Sequence, residues 1–336
     1  MLSERRQRVL EALIEEYVAF AQPVGSRTLV DRYKLGVSPA TVRNELSVLE
    51  DEGYIRSPHT SAGRIPTDAG YRAFVDELLE REYGTDVAGS TFDELRSAAT
   101  AVDELMDQTS AALSRLTDCL SVVLAPSVIG MSVKQVSLVS MTPHRVLVVV
   151  VTDDGQVFNR TVEFNEEIPS DELAHLQNAI NGLVNGANVS DMRKRMSQVD
   201  SETLASPLAH AIIEEIILCI NQGDASRTHR LGLSSLLRKP EFSHAQTALP
   251  VLQVLEDDTV LMQMFDRALA DTAKEDLKVS IGRENGTEEL SGVSVVAAQY
   301  GTGAGSGIVA VIGPTRMDYS TVIHAVRAAK NALRDL

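Results

Sequence analysis

Apolar residues recur at helical spacing at the start of the chain. Between residues 5 and 20 they fall every third or fourth position, which predicts a helix with one buried stripe. Pro23 and Gly25 end this helix. A second, shorter helix is predicted to begin near Ser26, interpreted as its N-cap, and to end by Gly36. The first 36 residues therefore predict two helices joined by a short turn.

A third helix follows, and its two sides differ in chemistry. Ser38 is predicted as its N-cap and Pro39 as its first residue, where the missing amide proton costs nothing. One side is apolar and carries Val42, Leu46 and Leu49. The other side carries Ala40, Asn44, Ser47 and Asp51, flanked by Thr41 and Arg43. Amides, guanidinium groups and hydroxyls pair with base edges, so this face suits the major groove of DNA, with a solvated helix face as the alternative.

A basic hairpin is predicted directly after the third helix. Tyr54 and Ile55 read as a strand, and no acidic residue occurs from residue 53 to residue 66. Arg56, His59 and Arg64 flank the tip of the hairpin. Such a hairpin is placed to contact the DNA backbone or minor groove beside the third helix, although a plain surface hairpin fits as well. Together, the three helices and the hairpin predict a winged helix-turn-helix.

The remaining chain mixes helical and strand-like patterns. A helix is predicted over residues 67–80, a linker over 84–89 and a long helix over 91–123. Strands are predicted in two groups, at residues 136–141, 146–151 and 157–164, and at residues 278–283, 293–300 and 308–313. Helical patterns fill residues 170–238 and 257–271, and an amphipathic helix is predicted over residues 319–333.

Six strands interrupted by a helical block predict one sheet domain with an insertion, placed at residues 166–245. Within the insertion, residues 204–220 are apolar on nearly all sides, so this helix is buried in a core or against a partner subunit. Read as a subunit contact, it offers Leu208, Ile212, Ile213 and Ile216. The spacing in the 91–123 helix also fits a seam between protomers.

Charge is distributed unevenly along the 336 residues. The formal net charge is −16, yet residues 1–75 contain ten basic and ten acidic side chains, so the whole excess lies downstream. Because phosphate repels an acidic body, only the N-terminal region is suited to approach a duplex. No apolar run approaches the length of a membrane span. Cys119 and Cys219 lie in apolar helical patterns, as expected of buried thiols in a reducing cytoplasm.

No pattern in the sequence predicts catalysis. The glycine-rich segment 301–307 lacks the lysine and hydroxyl residue of a nucleotide P-loop and joins two predicted strands, so a hairpin loop is expected. The seven histidines are scattered, which predicts no metal site and no cofactor. Polar residues near strand ends either line a small-molecule pocket or fix the strand and helix ends by hydrogen bonds; they are Arg283, Glu284, Asn285, Thr315, Arg316 and Asp318.

Several motifs resemble the HrcA family of bacterial heat-inducible transcription repressors. At the N-terminus they are PVGSRTL (23–29), VSPATVRNELSVLEDEGYI (37–55) and PHTSAGRIPTDAGYR (58–72). Near the C-terminus they are IGREN (281–285) and GIVAVIGPTRMDY (307–319). The resemblance spans nearly the whole chain, and in the middle third it is one of pattern only.

This resemblance implies an α+β, multidomain fold. Residues 1–83 are expected to form a winged-helix DNA-binding domain, residues 90–165 plus 246–336 a GAF-like antiparallel sheet domain, and residues 166–245 an inserted α/β dimerising domain. It further implies a cytoplasmic homodimer that binds double-stranded DNA at the inverted repeat called CIRCE and represses chaperone operons. The chaperonin GroEL would keep the repressor active until heat stress, without a membrane partner, a cofactor or an enzymatic activity.

The expected DNA contacts combine the helix face, the hairpin and the start of the second helix. They are Ser26, Arg27, Ser38, Thr41, Arg43, Asn44, Ser47, His59, Thr60 and Arg64. A palindrome is read by two recognition helices related by a two-fold axis, so the dimer must set their separation. The alternative function is a winged-helix regulator controlled by a small-molecule effector bound in the GAF-like domain.

Overall fold

The computed structural model describes residues 2–59, 63–81, 89–98, 102–125, 132–153, 155, 157–187, 189–196, 206–225, 228–256, 261, 265, 277–301 and 306–334. The chain divides into two compact units. The outer unit contains Met1–Val123, His229–Tyr300 and Ile308–Asp335, and the inserted unit contains Leu124–Thr228 with Gly301–Gly307. Both units combine helices with antiparallel strand pairs, in agreement with the predicted α+β class.

The outer unit begins with a three-helix module and a short hairpin, here called the N-terminal module (residues 2–81). Its elements are α1 (Glu4–Phe20), α2 (Ser26–Arg32), α3 (Pro39–Asp51), β1 (Ile55–Arg56), β2 (Ile65–Pro66) and α4 (Asp68–Arg81). The three predicted helices are confirmed, and so is Ser38 as the N-cap of α3, because its Oγ accepts a hydrogen bond from Thr41 N at 3.2 Å. The Ser26 N-cap was wrong, since Gly25 takes that position and α2 begins at Ser26.

The N-terminal module is held by its apolar stripes and by one close backbone approach. Leu13, Ile14, Leu29 and Leu49 are completely buried. Gly70 in α4 lies so close to the hairpin that a Cβ atom there would stand 2.1 Å from the carbonyl oxygen of Tyr54. Only glycine allows α4 to pack at this distance.

The next elements alternate between the two units along the chain. They are α5 (Gly89–Ala98), α6 (Val102–Thr117), β3 (Leu120–Leu124), β4 (Val133–Thr142), β5 (Arg145–Thr152), β6 (Val157–Glu163), α7 (Ser170–Val184), α8 (Val189–Met196) and α9 (Pro207–Ala225). After them come β7 (Thr228–Leu231), α10 (Leu233–Leu237), α11 (Ala245–Glu256), β8 (Lys278–Ile281), β9 (Val293–Tyr300), β10 (Gly307–Pro314) and α12 (Tyr319–Ala332).

The sheet of the outer unit joins strands from distant parts of the sequence. Among the described residues its order is β7-β3-β10-β9-β8, and β8 runs antiparallel to β9. The terminal helix α12 packs against β9, α5 and α6. Residues of β10 are buried along the whole strand, as expected of a central strand covered on both faces.

The long helix predicted over residues 91–123 was wrong in its last six residues, 118–123. Helix α6 ends at Thr117, Asp118 adopts a left-handed backbone with φ of 48°, and residues 120–124 form β3. Both faces of β3 are buried, so its β-branched residues pack in a sheet and do not continue the helical stripe. Residues 84–88 of the predicted linker and most of the helix predicted at 257–271 lie outside the described residues, and Gly89, the last residue of that linker, begins α5.

The inserted unit packs helices against an antiparallel sheet of order β4-β5-β6 within the described part of the chain. Val146, Val148 and Val150 of β5 point into its core, against apolar residues of α7 and α9. Two amide side chains of α7 cover the edge of β4. Asn181 bonds both the N–H and the C=O of Val136 at 2.8 Å, and Gln177 Oε1 accepts from Leu138 N at 2.7 Å. This edge is therefore occupied within the chain.

The first group of predicted strands belongs to a different sheet from the one expected. The sequence placed residues 90–165 with 246–336 in one sheet domain and residues 166–245 in the insertion. In the structure β4, β5 and β6 pair with one another and share a unit with α7 to α9, so the main segment of the inserted unit runs from Leu124 to Thr228. Short connections favour such local antiparallel pairing. None of the described helices is both long and apolar enough to span a bilayer.

Candidate nucleic-acid interface

The outer side of α3 presents side chains with unused hydrogen-bonding groups. Arg43, Asn44 and Ser47 are exposed, and none of the three bonds another group in the described part of the chain. On the opposite side Val42 and Leu49 are completely buried, which fixes the rotation of the helix. The predicted division of α3 into a core side and a polar side is confirmed.

Two of the residues predicted to bind DNA, Ser38 and Thr41, form the N-terminal cap of α3. Ser38 Oγ accepts from Thr41 N, and the two hydroxyl oxygens lie 3.0 Å apart. Removing an N-cap hydroxyl costs about 1 kcal/mol of stability, so the loss of the Ser38 hydroxyl would weaken the start of the helix. At α2, Arg27 is exposed and makes no bond to any described residue, whereas Ser26 is half-buried.

The two arginines of the hairpin, Arg56 and Arg64, differ in their bonding partners. Arg64 is half-buried: Nη2 lies 2.7 Å from Glu50 Oε2, and Nη1 donates to Ser57 Oγ at 2.6 Å. Its backbone also pairs with Val24 in both directions at 2.8 Å. Arg64 therefore fixes the hairpin to α3 and to the turn before α2. Thr60, predicted to contact DNA, lies outside the described residues.

Arg56 and His59 remain as the exposed basic side chains of the described hairpin residues. Arg56 was recognised in the basic pattern but was not among the predicted DNA contacts. It lies in β1, shortly after the end of α3, and its side chain is exposed. The signal that separates it from Arg64 is a partner in space, which the sequence does not show.

Most acidic groups near α3 are neutralised by arginines from other helices. Glu45 is buried and lies 2.8 Å from Arg5 Nε and 3.3 Å from Arg6 Nε, and Arg6 also reaches Glu52 at 3.2 Å. In the same way Glu16 of α1 pairs with Arg32 at 2.6 Å. Several acids and arginines of the module are therefore paired internally, and Arg8, Arg27, Arg43 and Arg56 are left for a polyanion.

The residues predicted as the subunit contact lie inside the chain. Ile212, Ile213 and Ile216 are completely buried in the core of the inserted unit, and Leu208 packs against that core. The structure therefore decides between the two readings of this helix in favour of a core. These isoleucines are not available to a partner subunit, and a dimer contact requires other side chains.

The polar C-terminal motifs hold strand and helix ends. Asn285 Nδ2 donates to the carbonyl oxygens of Gly282 and Val293 at 2.9 and 2.8 Å, and Asp318 caps α12 by accepting from Thr321 N at 3.1 Å. Glu284 accepts from Ile281 N at 2.9 Å. For these three residues the structural reading of the motifs is confirmed.

The same motifs also attach the N-terminal module to the sheet of the outer unit. Arg72 of α4 donates to Glu284 Oε1 at 2.9 Å and to Val279 O at 2.6 Å. Its bonds with Glu284 hold the pKa of the guanidinium above its ordinary value, against the opposing effect of burial. Arg316 donates to Val18 O of α1 at 2.7 Å and pairs with Glu241, also at 2.7 Å.

Comparison with known proteins identifies the family. Residues 103–323 match the model of the HrcA protein C-terminal domain. A relative from Leifsonia xyli subsp. xyli is 36% identical, with 100% of this chain and 99% of the relative covered. Another, from Kineococcus radiotolerans, is 38% identical, with 98% and 97% covered. The chain belongs to the HrcA family.

Both HrcA relatives are named heat-inducible transcription repressors. A solved structure described as a hypothetical protein at 2.2 Å resolution is also similar, with a TM-score of 0.68 and 24% identity over 99% of this chain and 98% of that one. This likeness supports the fold alone. The two relatives, which match nearly the whole chain, confirm the family resemblance drawn from the sequence motifs.

Proposed function

We propose that this chain is a sequence-specific transcriptional repressor of heat-shock chaperone operons. In this proposal the N-terminal module is a winged-helix DNA-binding domain, α3 enters the major groove, and the hairpin contacts the neighbouring backbone. The observation that carries it is the side of α3 on which Arg43, Asn44 and Ser47 are exposed and unbonded. Glu45 and Glu50 of the same helix pair with arginines from other elements, and Asp51 at its end is exposed. The names of the HrcA relatives support the same function.

The operator in this proposal is the CIRCE inverted repeat, bound by a homodimer. Each half-site would receive one α3 helix, so the two-fold of the protein would match the two-fold of the palindrome. The rest of the outer unit would form the GAF-like domain that holds the N-terminal module. In the described residues the core isoleucines of α9 leave the subunit contact to other surfaces.

Binding to the inverted repeat and to a scrambled duplex of equal length tests this function. We expect Arg43→Ala to weaken operator binding by about 1–3 kcal/mol and to relax the sequence preference. Arg115→Ala, which removes an exposed cation of α6 far along the chain, serves as the control and should change little. Equal loss on both duplexes would reduce Arg43 to a phosphate contact, and equal wild-type affinity for both would refute the proposal.

Salt dependence separates the two kinds of arginine. Each phosphate contact contributes about 0.9 to the slope of log K against log salt concentration. Arg27→Gln should lower this slope by about 1 without loss of stability, because Arg27 has no bond to break in the described structure. Arg64→Gln should instead destabilise the hairpin, since Glu50 and Ser57 lose their partner.

Regulation by GroEL forms part of the proposal and has a physical basis in the topology. Strand β3 lies between β7 and β10 in the sheet, although the inserted unit separates them in sequence. Such non-local pairing is slow and leaves the apolar strands exposed during folding. Heat-treated protein should therefore regain operator binding with GroEL and ATP, and full recovery without chaperonin would count against this regulation.

A further inference from the structure

A cleft of about 830 Å³ lies within the outer unit, where the N-terminal module meets the sheet. Tyr17, Arg56 and Tyr71 line it from the module, and Arg283, Thr315 and Arg316 line it from the sheet side. The N-terminal module and the sheet therefore both contribute polar side chains to the cleft, and a bound molecule would contact the two together.

Tyr71 is the first sign that the cleft is built for a ligand. Its side chain is 3% exposed, and its hydroxyl has no hydrogen-bond partner among the described residues. Burial is the main cause that raises its pKa, and the other groups acting on that pKa include Tyr17, Arg316 and Glu241, which all line the cleft. A buried hydroxyl without a partner is unfavourable, so a ligand group that bonded to it would supply the missing hydrogen bond.

The charges of the cleft favour an anion. Two of its acids pair with arginines, Glu284 with Arg72 and Glu241 with Arg316. Among the described residues Asp68 accepts only a backbone bond, from Arg283 N at 3.3 Å, and keeps its charge. By contrast, the guanidinium groups of Arg56 and Arg283 bond to nothing in the described structure. Two uncommitted guanidinium groups outnumber the one carboxylate of the described lining that has no cationic partner, Asp68, so the cleft keeps a positive balance.

We propose that this cleft binds a small organic anion through its phosphate or carboxylate group. Arg283 and Arg56 would bind the anionic group by charge-assisted hydrogen bonds, and the hydroxyl of Tyr71 would donate a further one. The hydroxyl of Thr315, half-buried at the end of β10, is a further donor. The volume of the cleft exceeds that of a single phosphate group, so it leaves room for a ligand with an organic body as well as a charge.

An occupant of this cleft would control the N-terminal module. The cleft includes Arg56 of the hairpin and Thr67 at the start of α4, so a ligand would bias the position of the module against the sheet. This consequence rests on the proposed DNA-binding function, whereas binding of the anion does not. A ligand that binds more tightly to one position of the N-terminal module than to another would shift the module toward that position. Operator affinity would change by the ratio of the ligand's two affinities at most.

Thermal unfolding and calorimetry without DNA test the binding. The probes are inorganic phosphate and citrate, each compared with chloride at equal ionic strength. We expect both probes to raise the melting temperature of the wild type. Arg283→Gln and Tyr71→Phe should weaken probe binding by about tenfold or more, because each removes a bond to a charged group. Arg43→Gln, which changes an exposed arginine outside the cleft, should bind the probes as the wild type does.

Tyr71→Phe separates a ligand-binding role from a structural one. Because the hydroxyl is unpaired, its removal should leave the melting temperature without probe unchanged or raised, while the gain from the probe is lost. Loss of stability without probe would show that the hydroxyl serves the fold and would overturn the proposal. Equal responses of wild type, Arg283→Gln and Tyr71→Phe to the probes would overturn it as well.

A second measurement distinguishes a small anion from the DNA backbone. If Arg283→Gln weakens binding to a random duplex but leaves phosphate and citrate binding unchanged, Arg283 contacts DNA and the cleft is not an anion site. If the probes bind and the variants lose them, the anion site stands even when the chain binds no operator. Operator affinity with and without citrate then measures the coupling.

Discussion

The substitution Arg316→Met tests how the N-terminal module is attached to the rest of the outer unit. Arg316 is 13% exposed and makes three bonds: Nε and Nη2 to Glu241 at 2.7 and 3.4 Å, and Nη1 to Val18 O at 2.7 Å. Val18 belongs to the last turn of α1, where carbonyl oxygens have no partner within the helix. Arg316 therefore satisfies a helix end and a carboxylate together.

The magnitude follows from these bonds. Methionine keeps the apolar stem but removes the guanidinium. Hydrogen bonds to charged groups contribute about 1.5–3 kcal/mol each, yet Glu241 is 28% exposed and regains water when its partner is lost. Breaking a fully buried ion pair costs about 3–5 kcal/mol, so a loss of about 3 kcal/mol is expected here. Arg145→Met breaks an ion pair with Glu163 in which both side chains are more than half exposed, and should cost less than about 1 kcal/mol.

Tyrosine signals report on the outer unit alone, because all seven tyrosines lie in it and the chain has no tryptophan. Urea unfolding followed by near-ultraviolet circular dichroism therefore measures the free energy of unfolding of this unit. In a double-mutant cycle with Glu241→Gln, the two changes should be less than additive by about 1–2 kcal/mol, since they remove one shared interaction. Full additivity, or a loss below about 1 kcal/mol for Arg316→Met, would refute this account of the attachment.

Three further outcomes are expected. Ile212→Asp should unfold the inserted unit, because it places a charge in a completely buried position. Val139→Asp, at a position that is 48% exposed, should leave the unit folded. A folded monomeric Ile212→Asp protein would contradict this expectation. Gly70→Ala should destabilise the outer unit by about 1–3 kcal/mol, because its Cβ would overlap the carbonyl oxygen of Tyr54. Gly182→Ala is the control: its Cβ meets nothing within 4 Å, and it should stabilise α7 by about 0.5–1 kcal/mol. Unfolding followed by far-ultraviolet circular dichroism measures both changes. Burial raises the pKa of the Cys119 thiol from 9.0 to about 11, so the stabilisation from keeping this thiol protonated in the folded state is complete below pH 9. The free energy of unfolding should then fall by about 1.4 kcal/mol per pH unit as the pH rises to 11. Cys119→Ala should flatten that slope in urea titrations.

The N-terminal module was predictable from the sequence because its signals are local. Capping at Ser38, proline at the first position of α3 and the apolar stripe of Val42, Leu46 and Leu49 all concern residues within one or two turns. The sheets were less predictable. Strands β4 to β6 were found in sequence, but only their pairing shows that they form a sheet of their own. The end of α6 depended on Asp118 and on a sheet partner for β3 more than one hundred residues away.

The candidate site shows the same limit in its charges. Arg27, Arg43, Arg56 and Arg64 look alike in sequence, and the sequence assigned Arg64 to DNA and passed over Arg56. In space Arg64 is bound to Glu50 and Ser57, while the other three have no partner in the described structure. A motif selects the region that binds, but the pairing of each charge decides which side chains can reach a ligand.

Pairing also explains how a module with equal numbers of acidic and basic residues can present a positive surface. Glu45, Glu50 and Glu52 on and beside α3 are each held by an arginine from α1 or the hairpin, and these bonds position the helix as well as neutralise it. An arginine that stabilises the module is thus unavailable to DNA, and an arginine that is available adds nothing to stability. The two sets are separable by experiment, because the first changes the free energy of unfolding and the second changes only the affinity and its dependence on salt.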